Sequence, residues 1–585
     1  MLKSICNLAL VSFAASRDVW IDSEERVIRD KDHRHVLFHG VNVVYKVAPY
    51  IPEQDIYDAQ SSMTDQDIQD LKDWGFNFVR LGVMWEAVET APGVYNDTYL
   101  DEIDKLITKL GDQGIYTLVD SHQDVLARQV CGEGMPNFYA RDVINNGAYC
   151  ISSMADPFIG PIMRLFGACK SIEDYGFRKD KDGLPLIEDC QKNSFFIYYT
   201  SPEAFTLFRA FWYNDFGIQD KFVDFWAHTA KRLSGNQYVV GFDPFNEPLV
   251  SWKGIMSLLF EIFPGNMDKY ELTPVYERIY NKYMQADKEN LMWFEPAQFP
   301  DELPGIVWPL GFKKPPGGEI GSANHVLNDH TYCCQLNPKI CADTGEPQAK
   351  TAKMCWDWHK KRIGQRSTDA KKLGIPLVIS EFGACMDSKD CAREIDQVAT
   401  VSDQELASWA YWEFKPFHDL TTSAGDRSEG FYNFDGSLQI DKVRSLSRTY
   451  IKAAQGTIMK QFFVSDTMQG SGHVAGEFSG SIKIDTSVNA TTDIHVFVAQ
   501  GSNYTYSWYP HGFDISFPAN PKDKVQPDIQ NIALKGNTVT FQVMNEEFDG
   551  HYLNFVIEPY NGQASKHHKH SYQFHFDSNQ EPEFI

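Results

Sequence analysis

A net positive charge, metal-ligand spacings, a nucleotide-binding loop and a membrane-length apolar run are what this chain of 585 residues does without. Lys and Arg number 54 against 79 Asp and Glu, and the formal net charge of -25 opposes binding to nucleic acid or to an anionic membrane surface. The apolar run at residues 5–13 is too short to span a bilayer. No Gly-rich fingerprint follows the first strand-like segment, which argues against a dinucleotide-binding sheet. No set of His, Cys and carboxylate spacings resembles a metal shell, so neither a metal nor any other cofactor is expected. What remains is a soluble protein with neutral or lipid-like partners.

Hydrophobic residues make up 43% and aromatics 14%, which is globular rather than disordered, and the length exceeds one ordinary core, so two domains are expected. Residues 1–16 combine Lys3, the short apolar run and the small residues Ala14-Ala15-Ser16, a cleavable signal peptide that predicts secretion, with a lysosome or digestive lumen as alternative destinations. Its removal takes Cys6 and leaves ten cysteines in three even clusters: 131, 150, 169 and 190; 333, 334, 341 and 355; 385 and 391. Disulfides within clusters are the simplest pairing, with separate partners for Cys333 and Cys334. Asn96, Asn489 and Asn503 head glycosylation sequons.

Chemistry concentrates in Gly241-Phe242-Asp243-Pro244-Phe245-Asn246-Glu247-Pro248. Val239-Val240 runs into it like a buried strand, and the proline stops the ladder with a carboxylate at the tip. A second strand, Leu377-Val378-Ile379-Ser380, also ends in a glutamate, Glu381. Two such carboxylates form a candidate glycosidase pair. Strand-like segments at 36–45, 76–83, 115–120, 238–247, 291–295, 325–332, 377–381 and 407–414 alternate with helical patterns at 64–74, 99–111, 221–233, 273–287 and 356–373. Thr64 with Asp67 forms an acidic variant of a capping box. Eight such units predict a (β/α)8 TIM barrel with insertions, whose active site gathers at the C-terminal strand ends. Those ends supply Asn42, Lys46, Arg80, His122, Asp124, Asn246, Glu247, Glu295, Gln298, His330, Tyr332, Glu381 and Trp412. A ring of polar and aromatic groups suits a sugar. Each has a plainer reading: Arg80 as a partner for a structural carboxylate, His122 and Asp124 as a satisfied loop, Trp412 as core.

Asn246-Glu247-Pro248 and Ser380-Glu381-Phe382-Gly383, together with Arg80, Tyr332 and Trp412, resemble glycoside hydrolase family 5, retaining enzymes on a (β/α)8 barrel. Within that family, residues 77–86, 120–124 and 243–248 look like those of the endoglycoceramidases, which cut between the glycan and the ceramide of glycosphingolipids. The resemblance covers about residues 36–455. It implies Glu247 as acid/base and Glu381 as nucleophile, with the carboxyl groups about 5 Å apart. Arg80 would support Glu381, and Tyr332 would donate to it. Asn246 would hold the sugar 2-hydroxyl; Lys46, His122, Asp124, Gln298, Trp412 and Trp212 would complete the substrate contacts.

A ceramide leaving group needs an apolar surface, and residues 249–264, directly after Glu247, are well placed to provide it. The barrel is expected over 17–456, a β-sandwich over 457–562 and a disordered polar tail over 563–585. Expected strands in the second domain are 462–464, 478–484, 493–499, 504–508, 538–543 and 552–557. The implied protein is a monomer whose partner is the glycosphingolipid substrate, with transient contact at a membrane or micelle and no nucleic acid. Rival readings are a family 5 glucanase or mannanase, a β-glucosidase acting on glucosylceramide or sterol glucoside, and a catalytically silent glycolipid carrier.

Overall fold

A computed structural model describes residues 17–560 and 571–575, except 153, 166–168, 299–301, 304–305, 334–346, 422–427, 469–472, 499–505 and 519–523. The signal-peptide segment, Asn503, Cys334 and Cys341 therefore lie outside the described residues, as does part of the strand expected at 504–508.

Each of the eight expected strands forms, and together they close a barrel: His39–Val43, Phe78–Gly82, Tyr116–Asp120, Val239–Asp243, Met292–Phe294, His325–Thr331, Leu377–Phe382 and Ser408–Tyr411. All eight neighbouring pairs are parallel. Strands covered on both faces read as apolar runs, and His39–Val43, Phe78–Gly82 and Val239–Asp243 are buried at every position. The outer helices include Asp65–Asp73, Asp97–Asp112, Ile218–Leu233, Thr273–Ala286 and Ala352–Leu373. Thr64 and Asp67 form the expected capping box of the first. A long insertion between the third and fourth barrel strands adds the helices Asn137–Asn145, Asp156–Leu165 and Pro202–Trp212.

The disulfides Cys131–Cys190, Cys150–Cys169, Cys333–Cys355 and Cys385–Cys391 stay within the expected clusters. Among the described residues no helix is long and apolar enough to cross a membrane.

Beyond the barrel lie two larger antiparallel sheets. One has five strands, in the order Gly456–Phe463, Phe478–Ile484, Tyr552–Pro559, Gly512–Ser516 and Ser571–His575. The other has seven, and here the structure redraws the expected boundary at 17. Its first three strands, Val19–Asp22, Val27–Asp30 and His35–Val36, come from the start of the chain. Val36 pairs with Ala453 in Tyr450–Ala454, and the sheet continues through Thr492–His495, Thr538–Val543 and Ile529–Lys535. Phe541 of this sheet packs on Phe555 and Phe517, at ring separations of 5.5 and 5.0 Å, which joins the two layers.

Within the tail expected to be disordered, the described residues 571–575 form a strand. Ser571–His575 pairs with Gly512–Ser516, and Phe574 is buried 5.0 Å from Phe513. The two-residue alternation of Tyr572 and Phe574 is a strand signal hidden beside a polar, histidine-rich run.

The first hairpin closes the barrel floor. Val19, Ile21 and Ile28 pack against Phe38, Phe78, Leu118, Val240 and Trp293, residues at or near the N-terminal ends of the barrel strands. Chemistry is thereby confined to the opposite end.

Candidate active site

Arg80, in the middle of the second strand, Phe78–Gly82, is fully buried. Its Nη1 donates to Glu381 Oε1 at 2.5 Å, while Nη2 donates to Asp243 Oδ2 at 2.9 Å, Asn246 Oδ1 at 2.8 Å and Glu295 Oε1 at 3.1 Å. Burial opposes its charge, but Asp120, Asp243, Glu381 and Glu295 outweigh that cost and hold the guanidinium well above its ordinary pKa.

The two candidate carboxylates meet above this cation. Glu247 follows the fourth strand with φ 42, a left-handed conformation that costs a non-glycine residue about 1–3 kcal/mol. Its neighbours fix that turn: its N–H donates to Glu295 Oε2 at 3.0 Å, and Gln123 Nε2 donates to the Asn246 carbonyl at 2.7 Å. Glu381 also accepts from Tyr332 Oη at 3.0 Å. His330 sits between them, Nδ1 being 2.9 Å from Glu247 Oε1 and 3.4 Å from Glu381 Oε2, and Nε2 3.2 Å from Glu295 Oε1. One oxygen of each glutamate and a ring nitrogen of His330 all lie within 4.8 Å of one another. That is well short of the ~6.5–9.5 Å separation of an inverting pair, which must leave room for a water.

The charges follow from this geometry. Burial disfavours the imidazolium, but Glu295, Glu381 and the hydrogen bond to Glu247 raise His330 well above its usual pKa. Burial raises Glu381 above the ordinary carboxylate value, with Glu247 adding to the rise and His330 and Arg80 pulling against it. The spacing of Glu247, His330 and Glu381 could hold a cation, but an adjoining guanidinium and an imidazolium make the site electrostatically hostile to one.

The remaining expected residues form the wall. His122 Nδ1 is 2.8 Å from Asp120 Oδ2, and its ring stacks on Trp412 at 4.9 Å. Lys46 Nζ donates to Asp124 Oδ2 and Thr421 Oγ1, each at 2.7 Å, and lies 4.6 Å from the Trp412 ring centre. Burial would raise Asp124; the Lys46 charge and the His122 contacts bring it far below the usual carboxylate range. Gln298 sits beside the Glu247 loop, its N–H on the Pro248 carbonyl at 3.1 Å and its Oε1 accepting from Arg362 at 3.2 Å.

Trp212 is not brought to this ring, which corrects the expectation of a sugar contact. It is buried against Phe211 and Phe245, and its indole N–H donates to the Leu249 carbonyl at 2.8 Å, so it braces the Glu247 loop from behind. Conversely, His330 and Glu295 are more central than their place among the strand ends suggested. Their importance lies in cross-strand contacts to Arg80 and both glutamates, which no local motif encodes.

A parallel eight-stranded barrel with paired carboxylates at its C-terminal mouth defines a glycoside hydrolase. A family model described as cellulase (glycosyl hydrolase family 5) matches residues 35–160 and 207–418, more than half the chain, and the protein belongs to that family. It is 27% identical to an endoglycoceramidase of Cyanea nozakii, over 91% of this chain and 94% of that protein. A second endoglycoceramidase, from Hydra vulgaris, is 27% identical over 89% of this chain and 87% of its own length. Among solved structures, the ganglioside GM3 complex of endo-glycoceramidase II from Rhodococcus sp. superposes with a TM-score of 0.64 at 19% identity, covering 92% of this chain and 99% of that one.

Proposed function

We propose that this protein is an endo-acting, retaining glycosidase that hydrolyses the β-glycosidic bond between the oligosaccharide and the ceramide of glycosphingolipids. The observation that carries the mechanism is the close approach of Glu247 and Glu381 over Arg80. The near full-length similarity to two endoglycoceramidases supports the substrate class.

In the first displacement a Glu381 oxygen attacks the anomeric carbon, the bond from that carbon to the ceramide oxygen breaks, and Glu247 gives the departing oxygen its proton. Arg80 and Tyr332 hold Glu381 in line for attack, and His330 offers positive charge to both carboxylates. In the second, Glu247 takes a proton from water, whose oxygen attacks the same carbon and frees Glu381. Asn246 binds the 2-hydroxyl, while Lys46, His122, Asp124, Gln298 and Trp412 hold the first sugar. No cofactor takes part.

Ceramide lies on the segment after Glu247, where Leu259, Phe260, Ile262 and Phe263 face solvent. Disulfides fit an oxidising compartment, and secretion through residues 1–16 completes the reading.

Product analysis on a ganglioside and on glucosylceramide, with Glu381→Gln as control, tests it. Intact oligosaccharide plus ceramide is expected, and neither from the variant. Release of glucose from glucosylceramide with no cleavage of the ganglioside would select a simple β-glucosidase instead.

A further inference from the structure

The helix Asp156–Leu165 reverses the usual order of an amphipathic helix. Phe158, Ile162 and Leu165 recur at i, i+4 and i+7, one face of a helix, yet they are 76%, 57% and 83% exposed, and Met154 just ahead is 83% exposed. A stripe of this period ordinarily turns to the core. Here the inward side is Gly160 and Met163, the latter packed on the Cys150–Cys169 disulfide that brackets the helix. The stripe is thus held at the surface by a covalent clasp.

Its charge differs from that of the acidic chain around it. Residues 154–165 carry two ionic side chains, Asp156 and Arg164. Asp156 spends its carboxylate on the backbone N–H groups of Cys150, Ile151 and Ser152, at 2.5, 2.8 and 3.3 Å. Arg164 is exposed, so a surface of phosphate-bearing headgroups meets a cation beside the apolar stripe. The helix is also tied to the active-site loop. Trp252, in the segment after Glu247, donates its indole N–H to the Cys150 carbonyl at 3.0 Å and packs 4.6 Å from Phe205, which joins the same cluster.

We infer that Asp156–Leu165 is an interfacial anchor that inserts Phe158, Ile162 and Leu165 into a zwitterionic phospholipid surface and holds the active site against it. The inference rests on the reading that the substrate is a membrane glycolipid, but the anchor binds bulk phospholipid.

Wild-type protein and a Phe158→Ser/Leu165→Ser variant are sedimented with phosphatidylcholine vesicles free of glycolipid. The wild type is expected to partition into the pellet, and the variant about tenfold or more weakly, since each large apolar side chain withdrawn from lipid is worth on the order of a tenfold change. Cleavage of glycolipid within vesicles falls in parallel, while hydrolysis of a soluble aryl β-lactoside stays at the wild-type rate and reports that the variant folds. Ile162→Ser alone gives a smaller loss of the same kind. Equal sedimentation of both proteins, or none by the wild type, overturns the inference. So does a wild-type dimer that the variant converts to monomer, because a second copy then covers this face. Vesicle binding without ceramide release from detergent-dispersed glycolipid would sustain the anchor and defeat the proposed function.

Discussion

Glu295 faces hydrogen-bond donors at both ends, which makes Glu295→Gln a searching test of the active-site wiring. Oε2 accepts the N–H of Glu247, and Oε1 accepts from Arg80 and lies 3.2 Å from His330 Nε2. An amide has a single oxygen, so whichever way it turns, its NH2 meets a donor. With the side chain fully buried, one such conflict costs about 1–3 kcal/mol. The weakened attraction to Arg80 and His330 adds to this, and relief of the repulsion that helps to raise Asp243 offsets part of it. A net loss of about 2–3 kcal/mol follows, a Tm lower by a few degrees.

The catalytic effect is larger. The Glu247 turn loses its brace or His330 loses the carboxylate that does most to keep it charged, and a misplaced acid/base costs about 100-fold in rate. His330 bears its proton below its raised pKa. Activity that depends on the imidazolium therefore declines as pH rises through that value, and in the variant the decline begins at lower pH. Aryl β-lactoside kinetics across pH, with thermal unfolding alongside, measure all three. Wild-type kcat with an unmoved alkaline limb would refute the wiring.

Glu86, buried and raised to about 7 by desolvation, binds its proton more tightly in the folded state, so stability declines as pH rises from the unfolded value of 4.5 to about 7. Glu86→Gln removes that penalty and is expected to stabilise the protein by about 3 kcal/mol at pH 8 and hardly at all at pH 4, read from denaturant melts. A Leu259→Ser/Phe263→Ser variant should lose cleavage of ceramide-linked glycans several-fold while keeping aryl-glycoside activity; equal losses on both would remove ceramide from that surface. Phe78 stacks on Phe38 and Trp293 at 5.3 and 5.5 Å in the barrel floor, and Phe78→Ala should cost about 3–5 kcal/mol in unfolding free energy without changing KM in the protein that remains folded.

The barrel was legible because buried parallel strands are short apolar runs that end in polar residues, and Val239–Asp243 before Asn246-Glu247 shows that pattern plainly. Arg80, Tyr332 and the two glutamates could be named for the same reason. Trp212 misled because an aromatic residue looks alike in core and cleft, and only the indole bond to Leu249 distinguishes them. Strands as short as Val19–Asp22 and His35–Val36 hold too few residues for periodicity to register, and the second pairs with Tyr450–Ala454, more than 400 residues away.

That last pairing bears on how the protein can be made and cut. The floor hairpin joins a sheet whose central strands, Tyr450–Ala454 and Thr492–His495, are synthesised near the end of the chain. A nascent barrel leaving the ribosome therefore has an unfinished base, with the polar backbone edge of Val36 uncovered, until residue 453 emerges. The catalytic region is not a detachable module: a break after residue 456 would leave Tyr450–Ala454 without Thr492–His495 and so expose the edge of the sheet that carries the floor hairpin. Residues 19–36 thus belong to barrel floor and second sheet at once, a seam made from one side of the chain and closed from the other.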